Sequence, residues 1–119
     1  MNRPGNVKKK VLLIDDDVDF GRLLTGFLAN MEFEVLVAHT LCEGMALMEK
    51  ERPEHIFLDN GLPDGLGWGK ATFIQSQYPL AQLNLISAWA PEAPVSNVRI
   101  LEKPIRIDDL MACLRQPSA

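Results

Sequence analysis

Four short apolar runs in this chain end in residues able to do chemistry. Val11-Leu12-Leu13-Ile14 ends in Asp15-Asp16-Asp17, and His55-Ile56-Phe57-Leu58 ends in Asp59. Leu83-Asn84-Leu85-Ile86 ends in Ser87-Ala88, and Val98-Arg99-Ile100-Leu101 leads into Glu102-Lys103-Pro104. In order, the run ends carry acids, an acid, a hydroxyl and a lysine. Asp59 is followed by Asn60-Gly61-Leu62-Pro63-Asp64-Gly65, a turn that leaves the carboxylate exposed on a rigid support. Carboxylates gathered within a few ångströms repel one another. At 4 Å and an effective dielectric near 20, each pair costs about 4 kcal/mol, so the cluster needs a cation or a raised pKa. Hard oxygen donors, few in number, suit Mg2+, which keeps several waters and shares phosphate oxygens. The pattern predicts metal-assisted phosphoryl transfer with Asp59 as acceptor, forming an acyl phosphate. Lys103 would donate to a phosphoryl oxygen as a point charge, and Ser87 from the other side. Asp17 is read as a cap on the helix that follows, the bland role that Asp15 and Asp16 could also fill.

The elements that must position these residues are strands alternating with helices. Residues 11–15 read as a continuous apolar strand, as in a parallel sheet covered on both faces. Residues 18–30 repeat apolar side chains at helical spacing: Phe20, Leu23, Leu24, Phe27, Leu28 and Met31. A short strand, 34–38, precedes Thr40-Leu41-Cys42-Glu43, a capping box that opens a helix running to Arg52 before Pro53. A strand over 55–59, a loop over 61–67, a helix over 68–78 stopped by Pro79, a strand over 83–87 and a last helix over 108–115 complete the pattern. This alternation implies right-handed crossovers and a parallel doubly wound sheet. Ligands of such sheets bind at the carboxyl ends of the strands, where Asp15, Asp16, Asp59, Ser87 and Lys103 all fall.

Composition sets bounds around that site. A chain of 119 residues is one domain with room for a full core, and 47% apolar with 24% charged residues is ordinary globular usage. A net charge of −4 argues against a general nucleic-acid binder. No apolar run approaches the roughly 20 residues of a membrane span, and the polar start of the chain lacks the core of a signal peptide, so a cytoplasmic location is expected. Cys42 and Cys113 are expected as free, partly buried thiols, without the spacing of a zinc site. His39 and His55 are read as loop and strand-start residues, and Trp68 as packing.

These residues together resemble the receiver domain of two-component response regulators. The likeness rests on Ile14-Asp15-Asp16-Asp17, on Leu58-Asp59 with Leu62-Pro63 and Gly67, on Ser87-Ala88 and on Glu102-Lys103-Pro104. It covers residues 11–115, leaving a polar N-terminal segment, 1–10, and a tail or linker start, 116–119. The resemblance implies a flavodoxin-like five-stranded parallel sheet in the order 2-1-3-4-5. It implies that Asp59 is the phosphoacceptor and that Asp16 holds Mg2+ directly, with Asp15 acting largely through water. The main-chain carbonyl of Gly61 would be the third protein ligand, and Mn2+ would serve as a substitute ion. Ser87 resembles the hydroxyl that swings toward the phosphoryl group, Lys103 the lysine that pairs with it, and the bond before Pro104 is expected to be cis. The implied donor is a sensor histidine kinase or histidine phosphotransfer protein, acting before a downstream effector. By the same resemblance, the domain itself is expected to bind neither nucleic acid nor membrane and to act as a signalling switch, not a metabolic enzyme.

Two departures from that family stand out. Ser87 and Lys103 lie 16 positions apart, roughly six fewer than usual, or about one and a half helical turns. With Pro91 and Pro94 between them, the fourth helix is expected to be missing or reduced to a turn. The switch aromatic three residues before the lysine is replaced by Ile100, so the usual toggle and the usual dimer face are not carried over. Trp89 is read as cover for the sheet where the helix is missing, with a lid over the site as the sharper alternative. Two rival functions are a receiver-like docking module that works without phosphorylation and an aspartyl-nucleophile phosphatase. The second fits Asp15-x-Asp17 superficially but has Asp19 where Thr or Val is expected, and too little chain for a cap.

Overall fold

The computed structural model describes residues 8–88 and 92–115. Strands β1 (Lys9–Ile14), β2 (Phe33–Ala38) and β3 (His55–Asp59) alternate with helices α1 (Val18–Leu28) and α2 (Leu41–Glu51). A two-residue hairpin, β4 (Gly61–Leu62) and β5 (Gly65–Leu66), leads through a 3-10 turn, Gly67–Lys70, into α3 (Ala71–Gln77). Strands β6 (Gln82–Ser87) and β7 (Arg99–Glu102) and helix α4 (Ile107–Arg115) follow.

The main sheet runs β2-β1-β3-β6-β7 with every neighbouring pair parallel. Counted over these five strands, that is the expected order 2-1-3-4-5. The period-two alternation of strand side chains divides the core into two layers. Leu12, Ile14, Ile56, Leu58, Leu83 and Leu85 pack under Met48, Ala71 and Ile74. Val11, Leu13, Phe57 and Ile86 pack on the other face with Leu24, Leu28, Leu110 and Cys113. Because both faces are covered, β3 is buried along its whole length, and the Asp59 carboxylate at its end is buried too, not exposed as the turn after it suggests.

The termini of the helices carry the caps that the sequence signals. Asp17 Oδ1 accepts from Phe20 N at 3.1 Å and opens α1. Thr40 Oγ1 accepts from Glu43 N at 3.1 Å, while Glu43 reaches back to His39 N at 2.8 Å, one residue short of the ideal reciprocal box. A third cap comes from afar: Asp64, at the hairpin tip, accepts from Leu41 N at 2.7 Å and Cys42 N at 2.9 Å. The Thr40 hydroxyl and the Asp64 carboxylate together satisfy the free N–H groups of Leu41, Cys42 and Glu43 in the first turn of α2. The helix ends at Arg52, in left-handed conformation with φ 50°, its guanidinium 5.3 Å from the Tyr78 ring centre.

Several boundaries differ from the expected ones. β1 starts at Lys9, because backbone pairing of Lys9 with Phe33 and Lys10 with Glu34 extends the ladder while the lysine side chains reach solvent. α1 stops at Leu28, and Met31 N bonds the Leu28 carbonyl at 3.0 Å as the chain turns toward β2. The third helix does not begin as α-helix at Trp68. Its first turn is 3-10, with Ala71 N bonded to Trp68 O, since Trp68 is fastened to the sheet. Cys42 is exposed on the solvent side of α2, contrary to expectation, whereas Cys113 is buried; both are free.

The connection between β6 and β7 contains no helix among its described residues, 92–98. Ala93, Val95 and Val98 instead pack as an irregular segment against the sheet, and Gln75 Nε2 on α3 donates to Ser96 O at 2.8 Å. Ile100, at the position where the family has an aromatic, is partly buried against the same core layer. Trp89 and the segments 1–7 and 116–119 lie outside the described residues.

Candidate functional site

The carboxyl ends of β1, β3, β6 and β7 bring the predicted residues to one end of the sheet. Asp15 and Asp16 follow β1, Asp59 closes β3, Ser87 closes β6, and Lys103 follows β7. Asp15, Asp16 and Asp59 each place a carboxylate oxygen within 4.8 Å of the others. Asp15 and Asp59 are buried, and Asp16 faces solvent. Lys103 Nζ stands 3.3 Å from Asp15 Oδ2 and 3.5 Å from Asp59 Oδ1. Lys103 Nζ donates a hydrogen bond to Asp15 Oδ1 at 3.5 Å, whereas its shorter contact with Oδ2 is an ion pair only, so Asp15 Oδ2 is buried without a hydrogen bond. Asp15 Oδ1 accepts from Asp17 N at 3.0 Å, which turns the chain into α1.

The electrostatics follow from this packing. Burial pushes the Asp59 carboxyl up to about 6, Asp15 reinforces the shift, and Lys103 opposes it. Burial alone would lower the Lys103 ammonium, but Asp15 and Asp59 outweigh it and hold its pKa above the ordinary lysine value. One ammonium among three carboxylates leaves the cluster short of positive charge. A buried carboxylate oxygen that accepts no hydrogen bond, beside two further acids, all hard donors, fits a hard divalent cation of the Mg2+ or Ca2+ type and not a thiolate- or imidazole-seeking metal.

Ser87 is buried at the end of β6, and its carbonyl accepts from Lys103 N at 2.8 Å, which joins the two strand ends. Gly61 opens the hairpin two residues past Asp59 and is exposed. The Lys103–Pro104 bond is cis, as expected. His39 Nδ1 lies 3.1 Å from the Asp15 carbonyl, at the margin of the site. His55 is buried at the far end of β3, packed edge-on to Phe33 with ring centroids 6.1 Å apart, and desolvation lowers its pKa.

Three residues escaped the reading of the sequence. Trp68 is more than packing: its indole Nε1 donates to Leu58 O at 3.3 Å and Ile86 O at 3.2 Å, while its backbone N donates to Asn60 Oδ1 at 3.1 Å. Asn60, directly after Asp59, also donates from its N to Ile86 O at 3.2 Å and accepts at its carbonyl from Gly67 N at 2.9 Å. Asp64 anchors the hairpin to α2. The Pro63-Asp64-Gly65 turn signalled a side chain able to bond backbone N–H groups, but its partners lie 22 and 23 residues away. No local signal marks the indole contacts.

An open, five-stranded parallel sheet carries an acid cluster and a lysine at the carboxyl ends of its strands, a doubly wound α/β domain. Comparison with known proteins names the class: a family model, the response regulator receiver domain, matches residues 11–115, and the chain belongs to that family. It is 28% identical over 114 residues to the acid tolerance regulatory protein ActR of Rhizobium meliloti, covering 91% of this chain and 59% of that protein. It is 27% identical over 124 residues to the response regulator protein PilR of Pseudomonas aeruginosa, covering 94% of this chain and 28% of that one. The chain thus spans well under two thirds of these relatives. Among solved structures, a two-component response regulator from Clostridium difficile superposes with TM-score 0.79 at 24% identity, covering 92% of this chain and 98% of that one. A response regulator from Burkholderia pseudomallei, whose structure holds a phosphorylated aspartic acid, a calcium ion and citrate, gives TM-score 0.77 at 24% identity over 92% of this chain and 68% of that one.

Proposed function

We propose that this chain is a phosphorelay receiver that takes a phosphoryl group on Asp59 from a phosphohistidine donor in a Mg2+-dependent reaction. The observation that carries the reading is the convergence of Asp15, Asp16 and Asp59 within 4.8 Å beside the Lys103 ammonium. The phosphorylated aspartic acid in the Burkholderia pseudomallei structure supports it.

In this reading Asp15, Asp16, Asp59 and the Gly61 carbonyl hold the ion. When bound, Mg2+ supplies positive charge at the carboxylates and orients the incoming group. A carboxylate oxygen of Asp59 attacks phosphorus; the new O–P bond forms as the N–P bond of the donor breaks, and the electron pair returns to the donor's imidazole. Lys103 donates to a phosphoryl oxygen and offsets the charge it brings, and the Ser87 hydroxyl donates from the β6 side. The raised pKa of Asp59 belongs to the metal-free state; a cation at the site favours the ionised nucleophile. The added charge then biases the loops after Asp59 and Ser87 between two arrangements, which a downstream effector reads. The activity is that of a cytoplasmic signalling phosphoacceptor and not of a metabolic enzyme. Its partners are a sensor histidine kinase or histidine phosphotransfer protein and an effector.

The test is intact mass after incubation with Mg2+ and acetyl phosphate. One phosphoryl adduct is expected on the parent and none on Asp59→Asn or on a chelated sample. A folded, Mg2+-binding chain that takes up no phosphoryl group from acetyl phosphate or from a histidine kinase would instead be a docking module that works without phosphorylation.

A further inference from the structure

The residues immediately before Asp59 and Ser87 are joined by one side chain. Leu58 and Ile86 lie on the neighbouring parallel strands β3 and β6, whose register pairs Leu58 with Leu85 and Asp59 with Ile86. The Trp68 indole N–H points between their carbonyls, at 3.3 and 3.2 Å. Trp68 is buried, 7% exposed as a residue, and both acceptors belong to buried residues, so bulk water does not compete for the donor. The same residue is fastened to Asn60, on the other flank of Asp59, through its backbone N. A buried indole needs some acceptor, and bulk alone would be met by Phe or Leu in this apolar layer. The choice of acceptors carries the argument: both belong to residues that directly precede a site residue.

We propose that Trp68 is a positioning residue, whose indole N–H clamps the ends of β3 and β6 and so sets the gap between Asp59 and Ser87 in which a phosphoryl group is received. This rests on Asp59 being the phosphoacceptor. In-line transfer is sensitive to sub-ångström placement of the nucleophile and the donors around it. Removing the clamp removes none of the carboxylates nor the lysine, but frees the spacing between the acceptor and the hydroxyl.

The experiment uses the full chain with Trp68→Phe and, to preserve the ring shape without the N–H, Trp68 replaced by benzothienylalanine. Three quantities are read: rates of phosphoryl uptake from acetyl phosphate and of its loss, Mg2+ affinity, and amide exchange at Asn60 and Lys103. Uptake or loss is expected to change by about fivefold or more, with Mg2+ affinity within about twofold of the parent. Exchange at Asn60, which donates to Ile86 O, and at Lys103, which donates to Ser87 O, is expected to rise by about tenfold relative to the Leu12 and Leu13 amides. Parental rates together with parental exchange in both variants overturn the proposal. A parent that takes up no phosphoryl group from acetyl phosphate or from a histidine kinase overturns the phosphoacceptor reading instead. Exchange at Asn60 and Lys103 then decides by itself whether Trp68 holds the strand ends.

Discussion

Gly67 lies against the carbonyl oxygen of Asp59 so closely that a β-carbon at position 67 would overlap it. The same carbon would stand 2.9 Å from Leu58 Cδ1. Close approach, and not a left-handed backbone, is what demands glycine here. The obstruction is mainly backbone of the strand that carries the site acid, so it cannot be relieved by rotating a side chain.

Gly67→Ala should therefore cost about 1–3 kcal/mol of stability and displace Asp59. Urea unfolding measures the first effect and Mg2+ titration the second. A variant with parental stability and parental Mg2+ affinity would show that the 3-10 turn yields without disturbing β3.

The titration of Asp59 gives a signed pH dependence. In chelator, the folded chain holds a proton on Asp59 up to about pH 6, whereas the unfolded chain releases it near the ordinary value of 3.8. Between those values the native state binds more protons, so this group makes stability fall as pH rises. His55 acts in the opposite sense: desolvation lowers its pKa below 6.5, so its contribution falls away on acidification through that range. Asp59→Asn deletes the first slope and leaves the second. Metal-free Asp59→Asn should be more stable than the parent at pH 7 and converge with it near pH 4. Parallel curves across that window would mean that Asp59 is not buried as a charge.

Asp64 ties the hairpin beside the site to the first turn of α2. Those two backbone N–H bonds, to Cys42 and Leu41, lower its pKa, so the cap is present above the ordinary carboxylate range and is lost only as pH falls through its depressed value. Asp64→Ala should lower the melting temperature and speed exchange at the Leu41 and Cys42 amides at neutral pH, and the difference from the parent should shrink in strong acid. Thr40 still caps Glu43 N in this variant, so exchange at Glu43 serves as the internal control.

How far the sequence disclosed this arrangement depends on the range of each interaction. Apolar runs such as Val11–Ile14 and His55–Leu58 announced strands buried on both faces, because burial of a parallel strand leaves a continuous local signature. The acids, Ser87 and Lys103 could be assigned to one site because their strand-end positions follow from the same periodicity. The reduced crossover was legible as missing length between Ser87 and Lys103. What replaces the helix was not: the Gln75–Ser96 bond and the packing of Val95 depend on tertiary placement. Trp68 was open to a packing reading alone, since a lone tryptophan beside a glycine looks the same in sequence whether its N–H is buried or wet. Asp64 was visible as a turn residue, but its partners on α2 are set by the fold.

Lys103 lends itself to a prediction in which two properties move in opposite directions. Its ammonium, 3.3 Å from Asp15 Oδ2 and 3.5 Å from Asp59 Oδ1, is the cation that the described residues set against the buried acids. In Lys103→Met the carboxylate cluster loses that neutralising charge, and a divalent cation held by the same oxygens no longer faces a like charge a few ångströms away. Mg2+ affinity should rise, by about threefold to tenfold at low ionic strength, with the gain shrinking in high salt. Phosphoryl uptake should fall at the same time, because Lys103 is the donor assigned to the arriving phosphoryl oxygen and its loss removes stabilisation realised during transfer. Calorimetric Mg2+ titration and the rate of adduct formation with acetyl phosphate measure the two separately. A variant weakened in both would point to collapse of the β7 end of the site, which exchange at the Lys103 amide, bonded to Ser87 O in the parent, would register directly.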